Sequence, residues 1–437
     1  MKRTAVIIFA ILSTGALGWW FSTSLGEREK PIIRLTDNLN SLGREKKVTL
    51  SFADMKTGLK RVMVTLNQDN KDHILLKEEL REKIKSKEYS IIIAPKGLNL
   101  HEGPATLIVS AVDNSLWKNE TIITRPTHID FTPPAIYLYT SINNINAGGT
   151  CVVAFGTSEP SIKTGIMVND NFSPGYPGTF SGKPATIVFF GLPIDAGEKI
   201  PTIRLIAYDG AENEASFALP IHIRKKKFRH DQMQLTDNFL QQKMGEFQQL
   251  PTEVKGKSPL EIFLYINGKL REENEAMLRL MSLKSVGKQL WEGPFMRMKE
   301  ASPMALFGDK RTYFYQKKAV AESIHMGVDL ASVANAPVAA GNNGIVVYAA
   351  NLGIYGNTVV LDHGMGLFSV YGHLSEITTK KGTSVKKGEI IGKTGMTGLA
   401  GGDHLHFGML AGGEFVNPLE WWDPHWIEDN VTSKLNP

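Results

Sequence analysis

The sequence predicts a mainly β multidomain protein: two tandem immunoglobulin-like β-sandwiches, a helical linker and a C-terminal antiparallel β domain. Three observations carry this. Short β-branched and aromatic runs, punctuated by Gly, Pro, Asn and Asp, fill the chain from Pro31 to Arg224. A stretch rich in Gln, Glu, Lys and Leu interrupts them, and from Gly293 to Asn417 strand-like segments return with closely spaced glycines. At 437 residues the chain also exceeds one ordinary core.

The N-terminus reads as an export signal. Lys2 and Arg3 precede an apolar run from Thr4 to Phe21, near the lower limit for a bilayer-spanning helix. Ala16-Leu17-Gly18 offers small residues at cleavage spacing, but Trp19, Trp20 and Phe21 resemble an interfacial aromatic belt. The expectation is a membrane anchor or signal peptide over 1–24, with an uncleaved anchor favoured and the rest of the chain outside the cytoplasmic membrane.

Two segments then share a pattern. Leu107 to Asn114 and Leu205 to Gly210 are alternating strands ending in an Ala-x-Asp turn, followed by Asn119-Glu120 and Asn213-Glu214. Each reads as the terminal hairpin of an immunoglobulin-like sandwich, giving one domain over 31–127 and a second over 128–225. One helix is expected inside the first, from Leu75 to Lys87, where Leu and Glu/Lys recur at helical intervals.

The linker over 226–292 carries two expected helices, Asp237 to Gln249 and Pro259 to Leu283. Ser258 is placed as the N-cap of the second, with Pro259 at its first position. Its length and helical character exceed what a tether needs, so the linker, or a sandwich, is expected to cover part of a cleft in the C-terminal domain. The basic run Arg224 to Lys227 reads either as a solvated hinge or as a contact to an anionic surface.

Bulk composition excludes some partners. With 42% hydrophobic and 21% charged residues and a net charge of +5, the chain folds and leans mildly basic. It lacks the concentrated basic face of a nucleic-acid binder, whereas an anionic polymer of the cell envelope suits it. Cys151 is the single cysteine, so no intrachain disulfide forms, and its strand-like setting marks it as a buried, inert thiol.

Chemistry concentrates in the domain over 293–437. Five of the eleven histidines, His325, His363, His373, His404 and His406, lie between positions 325 and 406. On a strand, His404 and His406 project from one face while Leu405 turns away. His325 and Asp329 add an imidazole and a carboxylate, a donor mixture that suits zinc with one coordination position left open.

The segment from about Arg311 to Pro418 resembles the lysostaphin-type, or LytM, zinc endopeptidases, which cut stem peptides or cross-bridges of peptidoglycan. The residues that carry this are His325-Met326-Gly327-Val328-Asp329, Tyr355-Gly356-Asn357, Tyr371-Gly372-His373-Leu374, Gly392 to Gly398 and His404-Leu405-His406-Phe407. The resemblance implies that His325, Asp329 and His406 hold Zn2+ and that His373 and His404 are the catalytic, unligated pair. It leaves open how those two divide proton transfer and oxyanion stabilisation.

The family's Ser-Thr-Gly-Pro run before His-x-His is replaced here by Leu399-Ala400-Gly401-Gly402-Asp403, in which the glycines are read as preserving the loop. Asp403 either orients His404, bonds nearby backbone or faces solvent. His363 is expected to be structural or to support a metal ligand rather than to bind metal itself, and Arg311 and Tyr313 either touch substrate or pack. Trp421, Trp422 and Trp426 clamp the C-terminal tail or, less expectedly, stack on glycan.

The functional expectation is a zinc metalloendopeptidase acting on peptidoglycan at the periplasmic side of the inner membrane. The sandwich domains are available to an envelope protein partner. The alternative is a non-catalytic LytM-like module that binds and activates a partner hydrolase.

Overall fold

The computed structural model describes residues 28–247, 251–252 and 254–437. The expected anchor over 1–24 and the end of the first linker helix lie outside the described residues. Among those described, no helix is long and apolar enough to cross a membrane.

The chain divides into two compact units. The first holds residues up to 134 together with 159–162 and 208–215. In it, a five-stranded sheet runs in the order Ser41–Leu42, Glu120–Ile129, Gly103–Asp113, Leu59–Gln68, Lys71–Ile84. A three-stranded sheet of Ile32–Leu35, Lys46–Ala53 and Ser86–Ile93 faces it. Alternation along each strand sends Val48, Leu50 and Phe52 from one sheet against Val62, Val64, Leu66 and Val109 from the other.

The Ala-x-Asp turns share a device. Asp113 accepts from Ser115 N and Asn119 Nδ2, and Asp209 accepts from Ala211 N, Asn213 N and Asn213 Nδ2. Each buried carboxylate thereby satisfies the backbone of its own turn.

The expected helix at Leu75 to Lys87 is not formed. Residues 71–84 make the edge strand of the five-stranded sheet, with Leu76 opposite Val64, and Ser86–Ile93 follows as another strand. Pairing to a long apolar neighbour overrides helical propensity here, and the Glu and Lys residues that suggested a helix line a sheet edge, where charge discourages further strand addition.

In the second unit, two four-stranded sheets are followed by a helical segment and the C-terminal domain. Strand Thr150–Thr157 is buried on both faces over its first six residues. Cys151, Val153 and Phe155 enter the core formed by the two four-stranded sheets, while Val152 and Ala154 enter the large core that also contains Phe368, Phe415 and Trp421. Phe189 and Phe190 of the neighbouring strand divide in the same way. Cys151 is therefore a buried thiol inside a sheet, its pKa pushed up by burial.

The helical segment begins with strand β1 (His230–Gln234) and helix α1 (Asp237–Met244), whose first turn is capped by the Thr236 side chain. Helix α2 (Pro259–Tyr265) carries a full capping box between Ser258 and Glu261. A π turn over Ile266–Leu270 joins it to α3 (Arg271–Ser282). Leu240, Met244, Phe263, Ile266 and Leu278 from these elements enter the large core, so the segment is packed rather than a free tether.

Strands β2 (Ser302–Ala305), β3 (Lys310–Tyr315), β4 (Lys318–Ile324), β5 (Val328–Ala331), β6 (Gly344–Asn351), β7 (Asn357–Asp362), β8 (Leu367–Leu374), β9 (Ser384–Val385), β10 (Leu405–Ala411) and β11 (Glu414–Val416) build the C-terminal domain. Its main sheet has the order β2-β5-β10-β8-β7-β6-β9, with β11 paired to β10. Strand β3 lies in a separate sheet between β1 and β4. Trp421 is fully buried against Phe189, Trp291, Phe295 and Trp426, so it clamps the tail into the core rather than offering a glycan platform.

Candidate metal centre

Strand register assembles the site. Antiparallel pairing of β5 with β10 sets Asp329 opposite His406, and pairing of β10 with β8 sets His406 opposite Gly372, beside His373. His325 arrives from the turn before β5. Gly327 makes this approach feasible, since a Cβ there would lie 2.6 Å from the His406 ring and from the Phe407 carbonyl oxygen.

Three ligand atoms meet. Asp329 Oδ1 lies 2.9 Å from His325 Nε2 and 3.0 Å from His406 Nδ1, and those two nitrogens are 3.0 Å apart. All three residues are buried. Two imidazole nitrogens and a carboxylate oxygen packed this closely are what a tetrahedral cation needs on three of its four positions, so the donor set fits zinc. The His325 Nδ1–H donates to the Leu306 carbonyl at 3.0 Å, which leaves Nε2 unprotonated toward the other ligands.

The remaining imidazoles follow the same rule. His373 Nδ1–H donates to Thr397 O and His404 Nδ1–H to Gly402 O, each at 2.8 Å. Both Nε2 atoms are thereby free of their own backbone, and the two rings stand 4.8 Å apart. His404 Nε2 is 3.5 Å from Asp329 Oδ1, so His404 and His406 do converge on one carboxylate as strand alternation predicts. His373 sits at φ +63°, a left-handed conformation rare outside glycine and asparagine, and such strain concentrates at functional sites.

The electrostatics separate these two histidines. Burial, reinforced by His404 and His406, holds the His373 pKa well below its ordinary value. For His404 burial acts downward too, but the bond to Asp329 and its charge prevail and the pKa is raised. Burial is the largest single influence on Asp329 and pushes it up, yet His325, His404 and His406 together hold it well below the usual carboxylate range.

A cavity of about 440 Å³ opens on this cluster. Sequence reasoning points to the linker as a cover but names no linker residue of its wall. Met233, Phe239, Phe263 and Arg271 from the helical segment line it, as do Leu399 to Asp403 from the loop before His404. Nothing local in those helices signals a cleft, because they are long-range neighbours. Arg311 and Tyr313 line it as well, and Arg311 Nη2 donates to Asp329 Oδ2 at 3.2 Å.

Asp403 bonds backbone, accepting from Asn335 N at 3.1 Å. A Cβ at Gly401 or Gly402 would meet nothing within 4 Å, and neither glycine has positive φ, so the loop does not depend on them. His363 stands apart from the cluster. It is fully buried, bonded to Asn343 O and Ser369 Oγ at 2.7 Å each, and edge-on to Phe295.

The fold and cluster define a β domain with a candidate metal site. Residues 323–418 match the model of Peptidase family M23. Over 96 residues the chain is 38% identical to the DD-carboxypeptidase/endopeptidase Mpg of Neisseria meningitidis and 40% identical to the peptidoglycan DD-endopeptidase ShyA of Vibrio cholerae. Both alignments take in 22% of this chain and 22% of the relative, so the chain spans about a fifth of the length of these curated relatives. The solved catalytic domain of lysostaphin from Staphylococcus simulans is 29% identical, covering 28% of this chain and 92% of that one with a TM-score of 0.24.

Proposed function

We propose that this protein is a zinc metalloendopeptidase that hydrolyses peptide bonds in peptidoglycan stem peptides or crosslinks during wall remodelling. The observation that carries the reading is the convergence, in one cavity, of a three-ligand set with two further imidazoles whose Nδ1 atoms are held by backbone carbonyls. Bound by His325, Asp329 and His406, zinc supplies Lewis-acid polarisation and a lowered water pKa.

The chain's own residues then handle the protons. His373, neutral at neutral pH, presents Nε2 as an acceptor for the proton of the attacking water. His404, its ring 4.8 Å away in the same cavity, is placed to donate to the leaving amine or the developing oxyanion. Arg311 holds the outer oxygen of Asp329, and the helical segment forms part of the cavity wall.

In this reading the N-terminal segment anchors the chain to the cytoplasmic membrane and the catalytic domain faces the periplasm. The sheet pairs ahead of the linker are immunoglobulin-like sandwiches available to an envelope partner. The test is incubation of the full ectodomain with purified muropeptide dimers, with and without a chelator, read by mass spectrometry. Monomer release abolished by the chelator is expected. Bound zinc without turnover would favour the non-catalytic module that activates a partner hydrolase.

A further inference from the structure

Met326, the residue after His325, borders two cavities: the metal cavity and a second one of about 620 Å³. Much of the second cavity's lining comes from outside the family match, namely the turn Ile194–Gly197, the run Lys225 to Phe228, Arg279 and Lys310.

Its charge is unbalanced. The lining carboxylates already have partners: Asp195 pairs with Lys199 at 3.3 Å, Glu198 with Lys310 at 4.0 Å and Glu414 with Arg279 at 2.5 Å. Among the described residues no ion pair takes up Lys225, Lys226 or Lys227. The Lys226 ammonium instead stands 5.6 Å from the Phe228 ring centroid, and loss of water lowers its pKa while the Glu420 charge acts in the opposite sense. Lys225, Lys226 and Lys227 all reach solvent, so their charges are open to an incoming anion, with the Glu420 charge as the carboxylate that acts on Lys226.

We propose that this cavity is an anion subsite that takes a carboxylate of an acidic wall peptide while the adjoining cavity holds the bond to be cut. The assignment rests on the peptidase reading above. Ile194, Phe228, Ile324 and Met326 give the lining apolar area for the peptide's aliphatic parts, and the lysines supply charge-assisted donors for the carboxylate. Met326 borders both cavities, so in this proposal one extended ligand passes it between the basic subsite and the metal ligands.

The experiment compares muropeptide dimers bearing free carboxylates with the same dimers amidated. Binding is measured on the metal-depleted ectodomain, and KM and kcat on the zinc-loaded one. The free-carboxylate dimer is expected to bind about tenfold more tightly, the scale of one charge-assisted hydrogen bond. Lys226→Gln with Lys227→Gln should erase that preference, raising KM and leaving kcat and zinc content unchanged, and arginine at both positions should restore it. Equal binding of the two dimers by the unaltered protein overturns the subsite. So does a loss in the glutamine variant that is the same for both dimers, or one seen only with vesicles containing phosphatidylglycerol. Discrimination in binding without any hydrolysis would leave the subsite standing and remove the peptidase reading.

Discussion

Arg311 donates through Nη2 to Asp329 Oδ2 at 3.2 Å, while Asp329 Oδ1 faces His325 and His406. One carboxylate is thus divided between a guanidinium and a metal position, and the arginine disfavours two-oxygen ligation. Arg311→Met is expected to weaken zinc affinity about 10- to 100-fold, the range for losing a partner that orients a ligand. Competition with a chromogenic chelator measures it. Unchanged affinity would show that Asp329 is held by its strand alone.

Substituting the two histidines of the His-x-His step separates their duties. His404→Ala should stop hydrolysis of muropeptide dimers while most bound zinc remains. His406→Ala should lose the metal, because its Nδ1 is one of three converging donors. Metal analysis beside product analysis reads both, and the reverse pattern would mean the roles are interchanged.

Lys243 fastens the helical segment to the loop that positions His373. Its side chain is 5% exposed, pairs with Glu246 at 2.7 Å and donates to Met396 O at 2.5 Å, one residue from Thr397, whose carbonyl receives the His373 proton. Lys243→Met is expected to cost about 1–3 kcal/mol of stability by removing two charge-assisted hydrogen bonds. If the segment restrains entry, the variant also digests large wall fragments faster relative to small dimers. Unchanged relative rates would remove the restraint.

Glu420 gives stability a pH dependence. It accepts from Thr150 N at 2.8 Å and from Asn146 Nδ2 at 3.2 Å, and burial pushes its pKa from 4.5 up to about 7. The folded state therefore holds this proton more tightly than the unfolded chain does. Its contribution is fully present below the unfolded value and is lost as pH rises through about 7, on the order of 3 kcal/mol in all. Glu420→Gln should flatten the decline of the thermal midpoint between about pH 5 and about pH 8. An unaltered slope would place the titrating group elsewhere.

The candidate site was more legible in the sequence than the architecture around it. His404-x-His406 and His325 to Asp329 announce a donor set because strand alternation and residue chemistry act over a few residues. The capped start at Ser258 was readable for the same reason. The strand at 71–84 was not, since its pairing with Leu59–Gln68 outweighs the helical spacing of its leucines. Arg311 could be singled out as lying ahead of the domain, but its bond to Asp329 depends on how two sheets meet. Phe239 and Phe263 reach the cleft through tertiary packing that no local pattern encodes.

Strand Thr150–Thr157 gives alternate residues to two different cores. A polypeptide cut between its two four-stranded sheets and its C-terminal part would bare Val152, Ala154 and Phe189 on one fragment and strip Trp421 and Phe415 of their neighbours on the other. These regions should therefore melt in a single step and withstand separation by limited proteolysis. The C-terminal part is not a cassette to be transplanted: its fold is completed by a strand that precedes it by well over a hundred residues.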